Sequence, residues 1–203
     1  MTAFEGGTAH LKSGLSVEFD VLVTAVGVRP NTAILTQAGG KSGRGITVNE
    51  HMQTSLPDVY AAGDCTESMD ITDGKVKIMA LMPNAYMQGF CAGVNMAGGD
   101  KVFDNAIPMN AIGFFGYHIM TAGSRGDLLY SRITENGVKK LYTDGRHLIG
   151  FEIIGEVKNT GIYTGLIRSR ADIRGIDPCQ FEKMPSLSLF SAEKRTQMLG
   201  GVV

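Results

Sequence analysis

One acidic residue, Asp64, follows an apolar segment and a glycine in the stretch Thr54-Ser55-Leu56-Pro57-Asp58-Val59-Tyr60-Ala61-Ala62-Gly63-Asp64. The apolar residues 59–62 predict a buried strand, and Gly63 would let the backbone and a ligand approach each other closely. Open α/β sheets bind their ligands at the carboxyl ends of the strands. The pattern therefore predicts that Asp64 binds a ligand. The alternative is a turn aspartate that accepts hydrogen bonds from nearby N–H groups.

Other motifs with known chemistry are missing from the sequence. Only Gly43 and Gly45 have G-x-G spacing, and position 48 is Val, so the dinucleotide-binding pattern GxGxxG is absent. The three cysteines are odd in number and form no CxxC pair, which argues against a disulfide framework and against a zinc site. We predict no metal site.

Composition excludes several classes of protein. The chain has 203 residues, 43% of them hydrophobic and 19% charged, with a formal net charge of −1, which is typical of a folded protein. Lys and Arg do not cluster as they do in nucleic-acid-binding proteins. The sequence has neither a run of 18 apolar residues nor a secretory leader pattern, so we expect no membrane partner. Free cysteines fit a cytoplasmic protein.

The elements that would position Asp64 follow from apolar periodicity and from glycine and proline signals. The first half of the chain predicts short strands and two helices. The strands are expected within residues 3–26, including a strand buried on both faces at 21–26, and at 46–49, 59–62 and 76–79; the helices are expected at 32–38 and from Pro83 to about Ala97.

From about residue 107 the pattern changes to antiparallel strands. Asn136-Gly137 and Asp144-Gly145 are typical of hairpin turns, since both dipeptides tolerate positive φ. The strands are expected at residues 111–122, 128–134, 139–142 and 147–154, and the helices at 159–173 and 192–199. The predicted fold class is thus an α/β segment followed by an α+β domain that contains an antiparallel sheet.

Three segments together resemble a known family. Residues 21–31 (Val-Leu-Val-Thr-Ala-Val-Gly-Val-Arg-Pro-Asn) and residues 54–65 look like the two downstream signatures of the FAD-dependent pyridine nucleotide-disulfide oxidoreductases. Residues 80–89 (Ala-Leu-Met-Pro-Asn-Ala-Tyr-Met-Gln-Gly) are similar to the flavin-side helix of the branch that contains NADH oxidase, NADH peroxidase and coenzyme A-disulfide reductase.

The resemblance implies a set of FAD-binding residues. Asp64 would accept a hydrogen bond from the ribityl hydroxyls, and Gly63 would allow the close approach. The backbone of Ala80, Leu81 and Met82 would face the flavin pyrimidine, where the partial positive charge of a helix amino terminus favours the anion on N1 and O2. The resemblance also places Gly27 near FAD, although a plain strand terminator is an equal alternative for this glycine.

The resemblance covers only the back part of the family's pattern, because family members begin with GxGxxG motifs that are missing here. It implies that residues 1–24 are the end of an NAD(P)H-binding domain, 25–106 the second segment of an FAD-binding domain, and 107–203 a dimerisation domain. The expected partners are a second copy of the chain and the missing amino-terminal FAD/NAD half. The family's reactive cysteines belong to that half, so Cys65 is expected to be a small buried hydrophobic residue.

The implied function is that of part of a flavoprotein oxidoreductase. The intact enzyme would pass hydride from NAD(P)H through FAD to a disulfide, peroxide, oxygen or small redox protein. No histidine follows His147, which disfavours the branch that uses a histidine base near its carboxyl end. None of the residues present would be catalytic, and the chain alone would be inactive. The alternative is a non-catalytic homodimerisation module with a vestigial flavin segment.

Overall fold

A computed structural model describes residues 1–183 and 186–199 of the chain. Its first 20 residues form a small antiparallel sheet of three strands, β1 (Ala3–Glu5), β2 (Thr8–His10) and β3 (Ser16–Glu18), in the order β1-β2-β3. The tight turn between β1 and β2 contains Gly6 and Gly7, both with positive φ. The expectation of short strands around turns is met in this part of the chain.

The prediction of a buried strand at residues 21–26 is wrong. This segment is extended but pairs with no strand among the described residues, and Val21, Val23 and Val26 are 78%, 80% and 88% exposed. An apolar run becomes a strand only when neighbouring strands satisfy its backbone and cover its side chains. The described part of the chain offers no such neighbours here.

The middle of the chain folds around one long helix. Its elements are α1 (Ala33–Gln37), β4 (Ile46–Thr47), β5 (Thr66–Asp70), β6 (Lys75–Lys77) and α2 (Met82–Met96). Strand β5 pairs in parallel with β4 and antiparallel with β6. The prediction of a buried strand at residues 59–62 is wrong, because this segment pairs with the rest of the described chain only through an isolated antiparallel β-bridge between Gln53 and Tyr60. Strand β5 was not predicted, because its sequence Thr-Glu-Ser-Met-Asp has no apolar alternation.

Helix α2 confirms the prediction at residues 83–97 to within one residue at each end. Pro83 lies in the first turn, where a proline leaves no hydrogen bond unmade. The helix ends at Met96, and the expected stop signal follows at Gly98, whose φ of 86° is readily adopted by glycine. Its apolar neighbours form the first of two cores, which contains Met52, Met79, Cys91, Ala92, Phe103 and Ala106.

The carboxyl-terminal half contains the predicted antiparallel sheet. Its five strands are β7 (Met109–Phe114), β8 (Tyr117–Gly123), β9 (Asp127–Thr134), β10 (Gly137–Thr143) and β11 (Leu148–Ile154), in the order β7-β8-β11-β10-β9. The single strand expected at residues 111–122 is in fact a hairpin. Phe115 and Gly116, with φ of 47° and 81°, form the turn between β7 and β8.

Helices cover one face of this sheet. Helix α3 (Thr160–Arg168) packs against β8 and β11, α4 (Pro178–Lys183) lies beside β9, and α5 (Ala192–Leu199) follows a short 3-10 turn at Leu187–Leu189. The helix predicted at 159–173 is shorter than expected, because Arg170 has φ of 48°. The second core lies between the sheet and these helices and includes Leu141, Leu148, Phe151, Ile153, Tyr163, Leu166 and Phe181.

Polar contacts join the two halves. The Ser124 hydroxyl donates to Oγ1 of Thr72 at 2.7 Å, and Asn84 Nδ2 donates to the carbonyl of Ile107 at 2.9 Å. Among the described residues, no helix is long and apolar enough to span a membrane.

Candidate functional site

Gly63 and Asp64 form a tight turn between residues 59–62 and β5. Gly63 has φ of 85°, a backbone conformation that side chains with a Cβ rarely adopt. Thr66 closes the turn, because its N–H and its hydroxyl donate to the Gly63 carbonyl at 3.0 and 2.8 Å. The sequence thus specifies this turn through a glycine and a threonine three residues later.

The carboxylate of Asp64 faces solvent and accepts no hydrogen bond from the described residues. The alternative role for this residue, an aspartate that satisfies nearby N–H groups, is therefore not observed. Thr66, and not Asp64, makes the local bonds that hold the turn. An exposed carboxylate without an internal partner can accept hydrogen bonds from a ligand.

The turn lies against the first half of α2. The Gly63 N–H donates to Oε1 of Gln88 at 2.6 Å, and a Cβ on Gly63 would lie 3.6 Å from the Cβ of Ala85. Ala85 in turn donates its N–H to the carbonyl of Leu81, the residue that precedes the helix. The structure therefore brings Gly63 and Asp64 close to the predicted segment at residues 80–82.

The amino end of α2 is uncapped. Leu81 has extended backbone angles, no side chain in the described ranges accepts a hydrogen bond from the first turn, and the first turn contains no acidic residue. Met82 is exposed, and Pro83 follows it. The helix dipole places about half a positive charge at such an end, and an electron-rich ligand atom would be stabilised there.

The structure does not bring Gly27 to this place. Gly27 lies in the exposed segment after residue 26, with φ of 83°, and no atom outside its immediate chain neighbours lies within 4 Å of the position of a Cβ. No hydrogen bond among the described residues links it to Gly63 or to α2. Its role in ligand binding stays a prediction.

Cys65 and Cys91 each direct the thiol at a backbone carbonyl. Cys91 is fully buried and its thiol donates to the carbonyl of Lys101, and burial raises the pKa of this thiol. Cys65 is half-buried, with its thiol directed at the carbonyl of Ala62, so it is less enclosed than expected. In the part of the chain that the structure describes, no group of three His, Cys, Asp or Glu side chains could hold a metal ion.

Sequence reasoning missed Gln88 as part of this site. Its side chain is only 3% exposed and contacts the Gly63 N–H and the hydroxyls of Thr66 and Ser68. In the sequence it is merely one residue of the segment 80–89, with no role assigned to it. A signal was available, since Asn84, Gln88 and Asn95 are polar residues on the same helix face as the core residue Cys91. Polar side chains on a buried face need internal hydrogen-bond partners.

Comparisons with known proteins identify relatives of this chain. Residues 2–89 match the family model described as pyridine nucleotide-disulphide oxidoreductase. The chain belongs to this family. The epsilon subunit of NADH-dependent phenylglyoxylate dehydrogenase from Aromatoleum evansii is 32% identical over 177 residues, which are 83% of this chain and 42% of that subunit.

Solved structures of the family have the same fold. The NAD-dependent persulfide reductase from A. fulgidus is 26% identical with a TM-score of 0.70, over 83% of this chain and 36% of that chain. An FAD-dependent pyridine nucleotide-disulphide oxidoreductase from Desulfovibrio vulgaris is 25% identical with a TM-score of 0.68, over 79% and 45%. The chain thus spans less than half the length of these relatives. Their names support FAD and NAD(P)H as the cofactors of the family.

Proposed function

We propose that this chain forms part of an FAD-dependent NAD(P)H oxidoreductase and supplies the ribityl and pyrimidine side of its FAD site. The observation that carries the proposal is the unpartnered Asp64 carboxylate, next to Gly63, which contacts Ala85 and Gln88 in the first half of α2, the helix whose amino end is uncapped. When bound, FAD would take up hydride from NAD(P)H and pass the electrons to an acceptor. The residues that contact it would be Asp64, Gly63 and the backbone of Ala80, Leu81 and Met82.

The donor and acceptor types at the site fit this group. The hydroxyls of a ribityl chain are donors, and the carboxylate of Asp64 is an acceptor that receives no hydrogen bond from the described residues. Such charge-assisted hydrogen bonds are among the stronger ones. The flavin pyrimidine carries electron-rich oxygen and nitrogen atoms, and the positive end of α2 would stabilise them. No residue of this chain is proposed to be catalytic, and the chain alone is expected to be inactive.

An FAD titration tests the proposal. Flavin fluorescence is followed as the chain is added, for the unmodified protein, Asp64→Ala, Asp64→Asn and the control Asp127→Asn. Asp127 begins β9, is exposed, and makes no side-chain hydrogen bond among the described residues. Loss of a charged hydrogen bond, worth about 1.5–3 kcal/mol, should weaken FAD binding about tenfold to hundredfold in Asp64→Ala. Equal affinities for Asp64→Ala and Asp127→Asn would contradict the assignment.

The chain leaves uncovered the surfaces on which a further part of an FAD domain would pack. Met82, Tyr86 and Phe90 project from one side of α2 with exposures of 85%, 74% and 55%, and the apolar segment 21–26 is also exposed. We propose that the amino-terminal FAD/NAD half of the family's pattern covers both, within one polypeptide or as a separate subunit. Adding the amino-terminal FAD/NAD half, which carries the GxGxxG motifs, should tighten FAD binding by this chain. An unchanged affinity for FAD would contradict this arrangement.

A homodimer through residues 107–203 is the second part of the proposal. The register of the five-stranded sheet aligns Ile112, Ile119, Ile154, Val138 and Ile133 in one row across the face opposite α3. Ile112 and Ile133, at the two ends of the row, are 54% and 68% exposed. Burying such a row stabilises association by about 25 cal/mol per Å² of apolar area.

The oligomeric state tests this surface. Light scattering should give the mass of a dimer for the chain and of a monomer for Ile133→Lys, with Gln37→Lys in α1 as a control on an exposed helix. A monomeric unmodified chain would contradict the dimer. A dimer that never binds flavin, alone or with the other half, would instead support the non-catalytic homodimerisation module.

A further inference from the structure

Gln88 makes a buried set of hydrogen bonds that centres on the Gly63–Asp64 turn. Its Oε1 accepts from the Gly63 N–H at 2.6 Å and lies 3.1 Å from Oγ1 of Thr66, whose hydroxyl donates to the Gly63 carbonyl at 2.8 Å. Its Nε2 donates to Ser68 Oγ at 2.7 Å. One side chain of α2 therefore holds the turn and the strand β5 that follows it.

These contacts are the direct connection between the turn and the helix. In the described part of the chain, the Gly63 N–H to Gln88 bond is the one hydrogen bond that links residues 63–64 to α2. The other hydrogen bonds of Gly63 are local and run from Thr66 to the Gly63 carbonyl. The distance between Asp64 and the amino end of α2 consequently depends on Gln88 and on the packing of Gly63 against Ala85.

An apolar residue at position 88 could not make the hydrogen bonds of this network. A methionine of similar size would leave the half-buried Gly63 N–H without its acceptor and the Ser68 hydroxyl without its donor, and each unsatisfied group destabilises that arrangement. Because Gly63 also has positive φ, a turn released from α2 has other backbone conformations open to it. Release would therefore move the residue next in sequence, Asp64.

We infer that Gln88 is a positioning residue that fixes the Asp64 carboxylate relative to the amino end of α2, so that both contact one bound FAD. The inference rests on the proposed function, because it assumes that these two groups bind the same ligand. Gln88 itself would not contact the ligand, since it is buried on the opposite side of the helix from Met82 and Tyr86. It would act through the backbone of Gly63.

Two variants separate positioning from general packing. Gln88→Met keeps the size of the side chain and removes its acceptor and donor. Gln88→Glu keeps an acceptor for the Gly63 N–H, and the Ser68 hydroxyl can rotate to donate to it. Gln37→Met, on the exposed side of α1, is the matched control.

The first measurement needs no flavin. Amide hydrogen exchange is recorded at Gly63, which donates to Gln88, and at Leu141, whose N–H lies in the paired strand β10. Gln88→Met should raise the exchange rate of Gly63 at least tenfold and leave Leu141 unchanged, whereas Gln88→Glu should restore protection at Gly63. Unchanged exchange at Gly63 in a folded Gln88→Met protein would overturn the inference.

The second measurement is the dissociation constant of FAD, with the visible absorption spectrum of the bound flavin. Gln88→Met should weaken binding about tenfold and shift the flavin spectrum, and Gln37→Met should do neither. If Gln88→Met does not fold, Ser68→Ala removes one arm of the network and should weaken binding two- to fivefold. Normal affinity in these variants overturns the role of Gln88 alone, whereas an unmodified chain that binds no FAD, even with the amino-terminal half, overturns the proposed function as well.

Discussion

Removal of the Lys77 ammonium should destabilise the protein far more than removal of its neighbour Lys75. Asp70 at the end of β5 is fully buried, and its Oδ2 lies 2.8 Å from Nζ of Lys77. Its Oδ1 accepts from the N–H and the hydroxyl of Thr72 at 2.9 and 2.6 Å. In Lys77→Met the carboxylate would stay buried with neutral donors only.

The magnitude follows from this burial. Breaking a buried ion pair and leaving one charge behind costs about 3–5 kcal/mol. Two features of the site reduce this value: Lys77 is itself 34% exposed, and Asp70 keeps two hydrogen bonds to Thr72. We therefore expect a loss of about 2–3 kcal/mol, which for a chain of this size lowers Tm by roughly 4–12 °C.

Urea unfolding followed by far-UV circular dichroism measures the effect, at pH 7 and constant protein concentration. Lys75→Met, an exposed position on the same strand, is the matched control and should change the free energy of unfolding by less than about 0.5 kcal/mol. Asp70→Asn should cost less than Lys77→Met, because Lys77 retains Asp73 at 2.7 Å and access to solvent.

The double variant Asp70→Asn/Lys77→Met provides the decisive comparison. With the charge of Asp70 gone, Lys77→Met no longer leaves an uncompensated carboxylate, so the double variant should be more stable than the sum of the single losses predicts. Strict additivity, or equal losses for Lys77→Met and Lys75→Met, would refute the argument that the Asp70–Lys77 ion pair stabilises the pairing of β5 with β6.

Three further predictions concern other groups. Burial opposes ionisation of Asp144, but hydrogen bonds from the His147 ring and from two backbone N–H groups outweigh it and lower its pKa from 3.8 to about 2. The resulting contribution to the free energy of unfolding is present above pH 4 and is lost as the pH falls towards 2, and, discounted for exposure, it amounts to about 1 kcal/mol. Acid titration should therefore show about 1 kcal/mol less pH dependence between pH 5 and 2 in Asp144→Asn than in the unmodified protein. Gly63→Ala should lower the free energy of unfolding by about 1–2 kcal/mol through its positive φ and not through a clash with Ala85, so an unchanged urea midpoint would contradict it. Cys91 should react with a thiol reagent only after unfolding, because its side chain is buried. Mass spectrometry of peptides measures the modification, and a modified Cys91 in the native protein would contradict this prediction.

The elements that the sequence predicted well carry their signals locally. Helix α2 has a proline in its first turn and a glycine pair after its end, and these residues act through their own backbones. The five-stranded sheet carries the hairpin dipeptides Asn136-Gly137 and Asp144-Gly145 where β10 meets β9 and β11, and these turn signals are local too. Even there, the turn at Phe115 and Gly116 was missed, since a phenylalanine at positive φ is not a turn signal in sequence.

The wrong predictions concern segments whose structure depends on distant neighbours. Residues 21–26 and 59–62 are apolar enough for buried strands, yet a strand needs partners for its N–H and C=O groups, and neither segment has a paired strand among the described residues. Strand β5 shows the converse. Its polar sequence is stabilised by pairing with β4 and β6 and by the Asp70–Lys77 contact, none of which is visible in its own five residues.

The buried polar residues of α2 connect the candidate site to the rest of the fold. Asn95 bonds to the carbonyls of His51 and Lys101, Gln88 holds the Gly63 turn, and Asn84 donates to the carbonyl of Ile107, which is fully buried in the second core. Three side chains at spacings of four and seven residues thus attach three different segments to one helix face. Because hydrogen bonds specify distance and direction more narrowly than apolar packing does, this face fixes the helix against all three segments at once. A helix held in this way can present its uncapped amino end at a constant distance from Asp64, which is the geometric requirement for both to bind the same flavin.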